Sequence, residues 1–201
     1  MIRRGIDIVV AAIATVVTAP VVALAMLAIR LESRGHPIYR QRRVGKDGEE
    51  FDMLKLRTMV SGAERIGAGL AVNEGDTRIT RVGRFLRRYS IDELPNLVNV
   101  LRGEMSLIGP RPTIQVQVAQ YTERQRGRLS IKPGLTGWAQ IHGRTSLPWE
   151  ERIELDLWYV EHRRWRVDVA IVWRTVKMLV NGDGLYKGAT GGWTGPDGGR
   201  A

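Results

Sequence analysis

Residues 8–29 read IVVAAIATVVTAPVVALAMLAI and carry no charged side chain. At about 1.5 Å of rise per residue, a helix over this stretch would be about 33 Å long, enough to cross the apolar core of a bilayer. The stretch exceeds the apolar region of a cleavable signal peptide, which runs to about 15 residues. The sequence therefore predicts a membrane helix near the N-terminus that is kept in the mature protein.

Basic residues flank this stretch on both sides: Arg3, Arg4, Arg30 and Arg34. An excess of Lys and Arg on one side sets the orientation of a spanning helix, and here neither side is favoured. Pro20 lacks a backbone donor and its ring clashes with the preceding turn, which predicts a helix break or sharp bend at Ala19 and Pro20. From the residues alone, a kinked spanning helix and a re-entrant helix that returns to the same membrane face are equally compatible.

The chain as a whole is strongly basic, with a formal net charge of +10. Such a charge attracts anionic lipid headgroups, phosphorylated substrates or nucleic acid, and the membrane helix favours the first two. The sequence has no cysteine and only three histidines, without H-E-x-x-H spacing, so any metal is expected to be oxygen-bound Mg²⁺. It also lacks a G-x-x-x-x-G-K-[ST] loop, which argues against an ATP-dependent phosphotransferase.

The pattern after the membrane helix predicts an α+β, mainly helical fold. Residues 36–41 form an extended stretch, 44–48 supply a turn and 51–56 alternate weakly, which predicts a short β-hairpin. Residues 61–70 suit a short helix or a polar loop. Amphipathic periodicity predicts helices at 82–89, 149–160 and 167–180, the last two with Trp and Arg suited to the headgroup layer. The expected units are a membrane helix (1–34), a cytoplasmic catalytic domain (35–180) and a flexible Gly-rich tail (181–201).

Asp92 and Glu93 mark the start of a further predicted helix, directly after the arginine-rich one. Ser90 with Glu93 would form a capping box, but Asp92 is the favoured cap because Pro95 then falls within the first turn. Capping is the plain interpretation of an isolated pair of this kind. The functional interpretation is that the helix end and nearby arginines favour the ionised form of Asp92, which makes it available as a nucleophile or metal ligand.

Three further features have both a structural and a functional interpretation. Arg111 lies between two prolines that fix the backbone, which suits bidentate phosphate binding, although a surface turn alone explains it. Lys55, Arg57 and Thr58 offer two cations and a hydroxyl, or simply a solvated strand face. The acidic residues within apolar helical patterns, Asp156 and Asp168, are either anchors for arginines, which is the favoured interpretation, or part of an acidic metal–phosphate site.

Five strings occur in order along the chain: YRQRRVG at 39–45, KLRTM at 55–59, SIDELPNL at 90–97, SLIGPRP at 106–112 and KPGLTGWAQ at 132–140. Together they resemble the bacterial sugar transferase family, the small monotopic phosphoglycosyl transferases. The resemblance runs from the N-terminal helix to about residue 180 and therefore covers the whole predicted folded part.

The resemblance implies an enzyme that moves a sugar-1-phosphate from a UDP-sugar to a polyprenyl phosphate such as undecaprenyl phosphate, with release of UMP and assistance from Mg²⁺. It makes Asp92 the nucleophile that forms a covalent phosphosugar intermediate, and Asp92 with Glu93 the metal-binding pair. The predicted phosphate- and substrate-binding residues are Arg87, Arg111, Lys55, Arg57, Thr58, Gln140 and Arg144. The family's N-terminal helix is re-entrant and broken at a Ser-Pro pair; here the pair is Ala19 and Pro20, so only Thr18 could supply a comparable hydroxyl.

The implied setting is the cytoplasmic face of the bacterial inner membrane, in the first membrane step of glycoconjugate biosynthesis. The expected partners are the UDP-sugar, the polyprenyl phosphate, membrane phospholipids and downstream glycosyltransferases, and no nucleic acid. The alternative is a non-catalytic, membrane-anchored protein whose basic charge binds anionic lipid or nucleic acid. That alternative does not need Asp92, and release of UMP from UDP-sugars separates the two.

Overall fold

The computed structural model describes residues 2–63, 75–143 and 147–181. The helices are α1 (Ile2–Glu32), α2 (Arg81–Arg88), α3 (Asn96–Arg102), α4 (Gln115–Val118), α5 (Glu123–Arg126), α6 (Trp138–Ile141), α7 (Trp149–Glu161) and α8 (Trp165–Val180). The strands are β1 (Ile38–Val44), β2 (Glu50–Leu56), β3 (Ser106–Ile108) and β4 (Gly134–Thr136). Most of the predicted segment 61–70, Arg144 and nearly all of the predicted tail 181–201 lie outside the described residues. The mainly helical α+β prediction is confirmed.

Helix α1 continues through Pro20 without interruption, so the predicted break at Ala19 and Pro20 is wrong, whereas a bend at this position stays a prediction. A proline removes only one intrahelical hydrogen bond, and the turns on either side keep theirs. Thr15 and Thr18 each donate a hydroxyl hydrogen bond to the carbonyl four residues earlier, Ala11 and Ala14, at 2.7 Å. These bonds compete with the backbone and bend helices without ending them.

One face of α1 packs on the rest of the protein, and the opposite face is apolar and exposed. The buried residues Asp7, Ala11, Ala25 and Ile29 lie on one side because their spacing follows the helical repeat. The exposed face includes Ile13, Val16, Val17, Val21, Leu24 and Leu27. By length and composition α1 is able to cross a membrane, and its exposed apolar face fits membrane association.

The N-terminal end of α1 is bound to the globular part by polar side chains. The Arg4 guanidinium donates to the carbonyls of Val100 and Leu101 at the end of α3. The Asp7 carboxylate accepts from the Ser106 hydroxyl at 2.8 Å and from the Leu107 backbone at 3.1 Å. The first two turns are therefore fixed against α3 and β3.

The C-terminal end of α1 is bound to the same globular part. The Glu32 carboxylate accepts from the backbone N–H groups of Arg81 and Val82, at 2.7 and 3.0 Å, and so caps the start of α2. Arg57, just after β2, donates to the carbonyls of Ser33 and Arg34 at 2.8 Å. Both ends of the apolar helix thus contact one domain.

The predicted hairpin is confirmed as the antiparallel pair β1–β2, in register from Ile38 opposite Leu56 to Val44 opposite Glu50. On β2, Phe51, Met53 and Leu56 point into the core. Phe51 and Met53 pack with Ala11 of α1 and with α3. This strand carries Lys55 towards the site described below.

A second, parallel pair joins β3 to β4 and was not predicted. The residue after β3 lies so close to the start of β4 that a Cβ atom on Gly109 would lie within 3 Å of the Lys132 carbonyl and the Gly134 nitrogen. A Cβ atom on Gly134 would collide with the backbone of Gly109. Glycine is required at both positions for this contact, which fixes the Pro-Arg-Pro loop at residues 110–112.

Candidate active site

Asp92 and Glu93 (the dyad) lie on a single 3₁₀ turn, Ile91–Glu93. Ser90 precedes the turn in the left-handed region, with φ of 55°, and makes no capping bond. Helix α3 begins only at Asn96, after Pro95. The predicted caps, Ser90 or Asp92, are therefore wrong: the dyad occupies a separate turn before the helix, and its carboxylates are left for other partners.

Glu93 is held by two cations. Its Oε1 accepts from Lys55 Nζ at 2.9 Å and from an Arg111 guanidinium nitrogen at 2.7 Å. Burial alone would raise the pKa of Glu93, but Arg111 and Lys55 together lower it well below its usual range. Burial also lowers the pKa of Lys55, against the attraction of Glu93. Glu93 is thus ionised at any pH near neutrality and organises the two cations.

Asp92 differs sharply from its neighbour. It is 4% exposed, and its Oδ1 has no hydrogen-bond partner among the residues that the structure describes. Burial, followed by the charge of Glu93, raises the pKa of Asp92 to about 6, against the opposing charges of Lys55, Arg87 and Arg111. The prediction that nearby arginines favour the ionised form of Asp92 is therefore wrong in net direction, although at pH 7 the carboxylate still dominates about tenfold.

Helix α2 brings Arg87 close to the dyad. The Arg87 Nε donates to the buried Thr58 hydroxyl at 2.7 Å. The approach of α2 depends on Gly83, where a Cβ atom would collide with the Thr58 carbonyl. Thr80 caps α2 through the Gly83 N–H, and its own N–H donates to that Thr58 carbonyl. Of the predicted residues, Lys55, Thr58, Arg87 and Arg111 are therefore gathered around the dyad.

Arg111 is positioned by a second arginine that the sequence analysis missed. The buried Arg128 donates to the Arg111 carbonyl at 2.6 Å, to Asp156 Oδ2 at 2.7 Å and to the Tyr121 hydroxyl. Asp156 is thus an arginine anchor, as the favoured interpretation required. No local pattern marks Arg128, because its role depends on contacts between distant segments.

Arg43 is a second missed cation. It donates to the Pro112 carbonyl at 3.1 Å and to the Gln41 side chain at 2.7 Å. Burial, together with repulsion from Arg111, lowers the pKa of Arg43 to about 10. Its place within the string at 39–45 was the only sequence feature that could have marked it. In the structure Arg43 lies near Arg111 and adds a further positive charge there.

The remaining predicted residues are bonded elsewhere. Arg57 binds the carbonyls at the end of α1 rather than the dyad, and its assignment to phosphate binding stays a prediction. Asp168 pairs with Arg3 at 3.0 Å and accepts from the Tyr159 hydroxyl at 2.7 Å, which makes it an anchor of α1. Gln140 is buried in α6 and donates to the Leu135 carbonyl at 3.4 Å.

Comparison with known proteins places these residues in a family. The family model for bacterial sugar transferases matches residues 1–182. The chain belongs to the bacterial sugar transferase family. The resemblance predicted from the five strings is thereby confirmed, and the dyad, Arg87 and Arg111 lie within the matched region.

The chain is similar to several sugar transferases, and two of those described here are named for different sugars. It is 37% identical to the sugar transferase EpsL of Bacillus subtilis over 93% of the chain and 91% of the relative. It is 45% identical to a UDP-glucose:undecaprenyl-phosphate glucose-1-phosphate transferase of Caulobacter vibrioides, over 92% of the chain and 72% of the relative. It is 39% identical to a UDP-N-acetylgalactosamine-undecaprenyl-phosphate N-acetylgalactosaminephosphotransferase of Aeromonas hydrophila, over 91% of the chain and 44% of that longer protein.

Proposed function

We propose that this bacterial sugar transferase moves a sugar-1-phosphate from a UDP-sugar to undecaprenyl phosphate or a similar polyprenyl phosphate, through a covalent intermediate on Asp92. The observation that carries the proposal is the contrast within the dyad. Glu93 is paired with Lys55 and Arg111, whereas Asp92 Oδ1 has no partner among the described residues and is surrounded by cations. An unpaired carboxylate among phosphate-binding groups is suited to attack on phosphorus.

The reaction proceeds in two displacements at one phosphorus atom. An oxygen of the Asp92 carboxylate attacks the phosphorus that bears the sugar, and the bond from this phosphorus to the bridging oxygen breaks, so that UMP leaves. A phosphate oxygen of the polyprenyl phosphate then attacks the same phosphorus and breaks its bond to Asp92. The products are a polyprenyl-diphosphate sugar and a regenerated carboxylate.

The cations around the dyad oppose the negative charge that two phosphates bring to the site. Lys55 and Arg111 are fixed by Glu93, and Arg87 is fixed by Thr58, so none of them must be reoriented when the substrate binds. Donors that are preorganised in a buried site stabilise developing charge more strongly than water does. Arg128 keeps Arg111 in place from behind by bonding to its carbonyl.

The two carboxylates of the dyad fit Mg²⁺ that arrives with the substrate. No group of three or more His, Asp or Glu residues suited to a metal occurs within the described ranges. Magnesium, however, is commonly held by one or two carboxylates together with phosphate oxygens. Asp92 and Glu93 would hold it, and it would offset charge on the transferred phosphate.

We propose further that the protein is monotopic, with both ends of α1 on the cytoplasmic side of the inner membrane. Asp7 and Glu32, near opposite ends of the apolar helix, are both bonded to the one domain that carries the dyad. Since that domain cannot lie on both sides of a bilayer, the exposed apolar face of α1 enters the membrane without crossing it. The lipid-linked product then suits glycosyltransferases that extend it.

The test uses the full chain in lipid nanodiscs with undecaprenyl phosphate and a panel of UDP-sugars. We expect one or more sugars to give UMP and a lipid-linked product in equal amounts. Omission of the polyprenyl phosphate should leave a phosphosugar adduct on the peptide that contains Asp92, and Asp92→Asn should give neither adduct nor product. UMP release by Asp92→Asn at the native rate would refute the mechanism, and binding of anionic vesicles or nucleic acid without turnover would favour the non-catalytic alternative.

A further inference from the structure

Asn96 is a fully buried side chain that is left unsatisfied. It is 0% exposed, and both its carboxamide nitrogen and its carboxamide oxygen lack a hydrogen-bond partner among the residues described here. Buried polar groups in proteins are nearly always paired, since an unpaired one is costly. A residue that stays polar under these conditions is expected to have a partner in another state of the protein.

Asn99 gives an internal comparison, because it lies in the same helix and is equally buried. Its Nδ2 donates to the Asp52 carbonyl at 2.8 Å and to the Glu104 carboxylate at 2.7 Å. Its Oδ1 accepts from the Leu54 backbone at 3.0 Å. All three bonds join α3 to neighbouring segments, so Asn99 has a structural role that Asn96 does not share.

The position of Asn96 indicates the missing partner. The backbone stays in the right-handed helical region through Leu94 and Pro95, so Asn96 follows Asp92 by about one helical turn. Side chains at this spacing are neighbours, with Cβ atoms about 5–6 Å apart. Asp92 Oδ1 is the other buried oxygen of this turn without a partner among the described residues. At this spacing, a rotation about the side-chain bonds of either residue would bring the two groups within reach of each other.

We infer that Asn96 is a positioning residue for Asp92, whose side chain it bonds during the phosphosugar transfer; this rests on the proposed function. A carboxamide suits every state that Asp92 passes through. Its N–H donates to the ionised carboxylate and to the carbonyl oxygen of the acyl phosphate, while its oxygen accepts from the protonated acid. The bond would fix which oxygen of Asp92 faces the phosphorus.

The charged groups that face Asp92 come from three elements and from its own turn. They are Lys55 on β2, Arg87 on α2, Arg111 in the loop after β3, and Glu93. These charges stay in place when Asn96 is replaced, so a loss of activity in an Asn96 variant reports the lost carboxamide and not a lost charge.

The test compares Asn96→Leu with Asn99→Leu, each of which replaces a buried carboxamide by an apolar side chain of the same branched shape. We expect Asn96→Leu to melt at or above the native temperature, with kcat lowered at least about tenfold and KM little changed. Asn99→Leu should melt several degrees lower, because three bonded groups lose their partner. Asn96→Asp, which adds a like charge beside Asp92, should lower kcat further than Asn96→Leu does.

A second readout isolates the first displacement. Without polyprenyl phosphate, Asn96→Leu should form the phosphosugar adduct on Asp92 at least about tenfold more slowly than the native protein in a single turnover. Native kcat or a native rate of adduct formation in Asn96→Leu would overturn the inference. So would a drop in melting temperature equal to that of Asn99→Leu, which would indicate a structural partner such as buried water. If Asp92→Asn keeps transfer activity, the proposed function fails instead.

Discussion

Replacing Asp92 by Asn should abolish transfer and at the same time stabilise the fold. Burial and the charge of Glu93 raise the pKa of Asp92 from 3.8 to about 6. A difference of about two pH units corresponds to about 3 kcal/mol of free energy that the ionised carboxylate costs the folded state. Asparagine is neutral and close in shape, so Asp92→Asn should recover part of this energy, about 1–3 kcal/mol.

The gain in stability should depend on pH with a definite sign. Below about pH 4 Asp92 is protonated in both folded and unfolded chains, and its charge costs nothing. As the pH rises, the unfolded chain releases the proton first, so the native protein loses stability until the folded pKa of about 6 is passed. The difference between Asp92→Asn and the native protein should therefore grow between these limits and stay constant above them.

The matched control is the neighbouring substitution, Glu93→Gln. Arg111 and Lys55 lower the pKa of Glu93, so its contribution to stability is present above its ordinary pKa and lost as the pH falls. Glu93→Gln should therefore destabilise the protein near neutral pH, opposite in sign to Asp92→Asn. Thermal and denaturant unfolding of both variants in detergent micelles from pH 4 to 8 measures both effects. A destabilised Asp92→Asn, or a difference that does not vary with pH, would refute the reasoning.

Three further predictions follow from contacts around the site. Arg128→Met should destabilise the protein by about 3–5 kcal/mol because it leaves Asp156 charged, buried and unpaired, and unfolding should show partial recovery when Asp156→Leu is added. Thr58→Val removes the hydroxyl that accepts from Arg87 and orients it. Steady-state kinetics should show a rise in KM for the UDP-sugar of about tenfold or less. Cysteines at Ile2 and Arg34 of this cysteine-free chain should both react with an impermeant thiol reagent from the cytoplasmic side; reaction from opposite sides would show a spanning helix.

Much of the architecture could be predicted because its signals are local. The apolar run at 8–29, the alternation in the hairpin and the periodicity of α2, α7 and α8 each lie within one element, and each element was found near its predicted place. The parallel pair β3–β4 was missed because strands of three residues have no readable period. The sequence feature that belongs to this pair is the presence of glycine at 109 and 134. It is explained only by the close contact between the end of β3 and the start of β4.

The chemistry of the dyad could be predicted only in part. Residue type and neighbouring charges pointed to Asp92, Glu93, Lys55 and Arg111, and the family resemblance added Arg87. The structure brings all five together. The direction of the Asp92 pKa could not be predicted, because burial depends on tertiary packing and outweighs the nearby cations.

A helix break at Pro20 is not needed to bring both ends of α1 to one domain, because a polar side chain holds each end, which the sequence did not show. Asp7 at one end is bonded to β3, which leads directly into the Pro-Arg-Pro loop. Glu32 at the other end caps α2, the helix that carries Arg87. The elements that present Arg87 and Arg111 are thus each bonded to one end of the same apolar helix. The apolar helix α1 is therefore part of the frame that places Arg87 and Arg111 around Asp92.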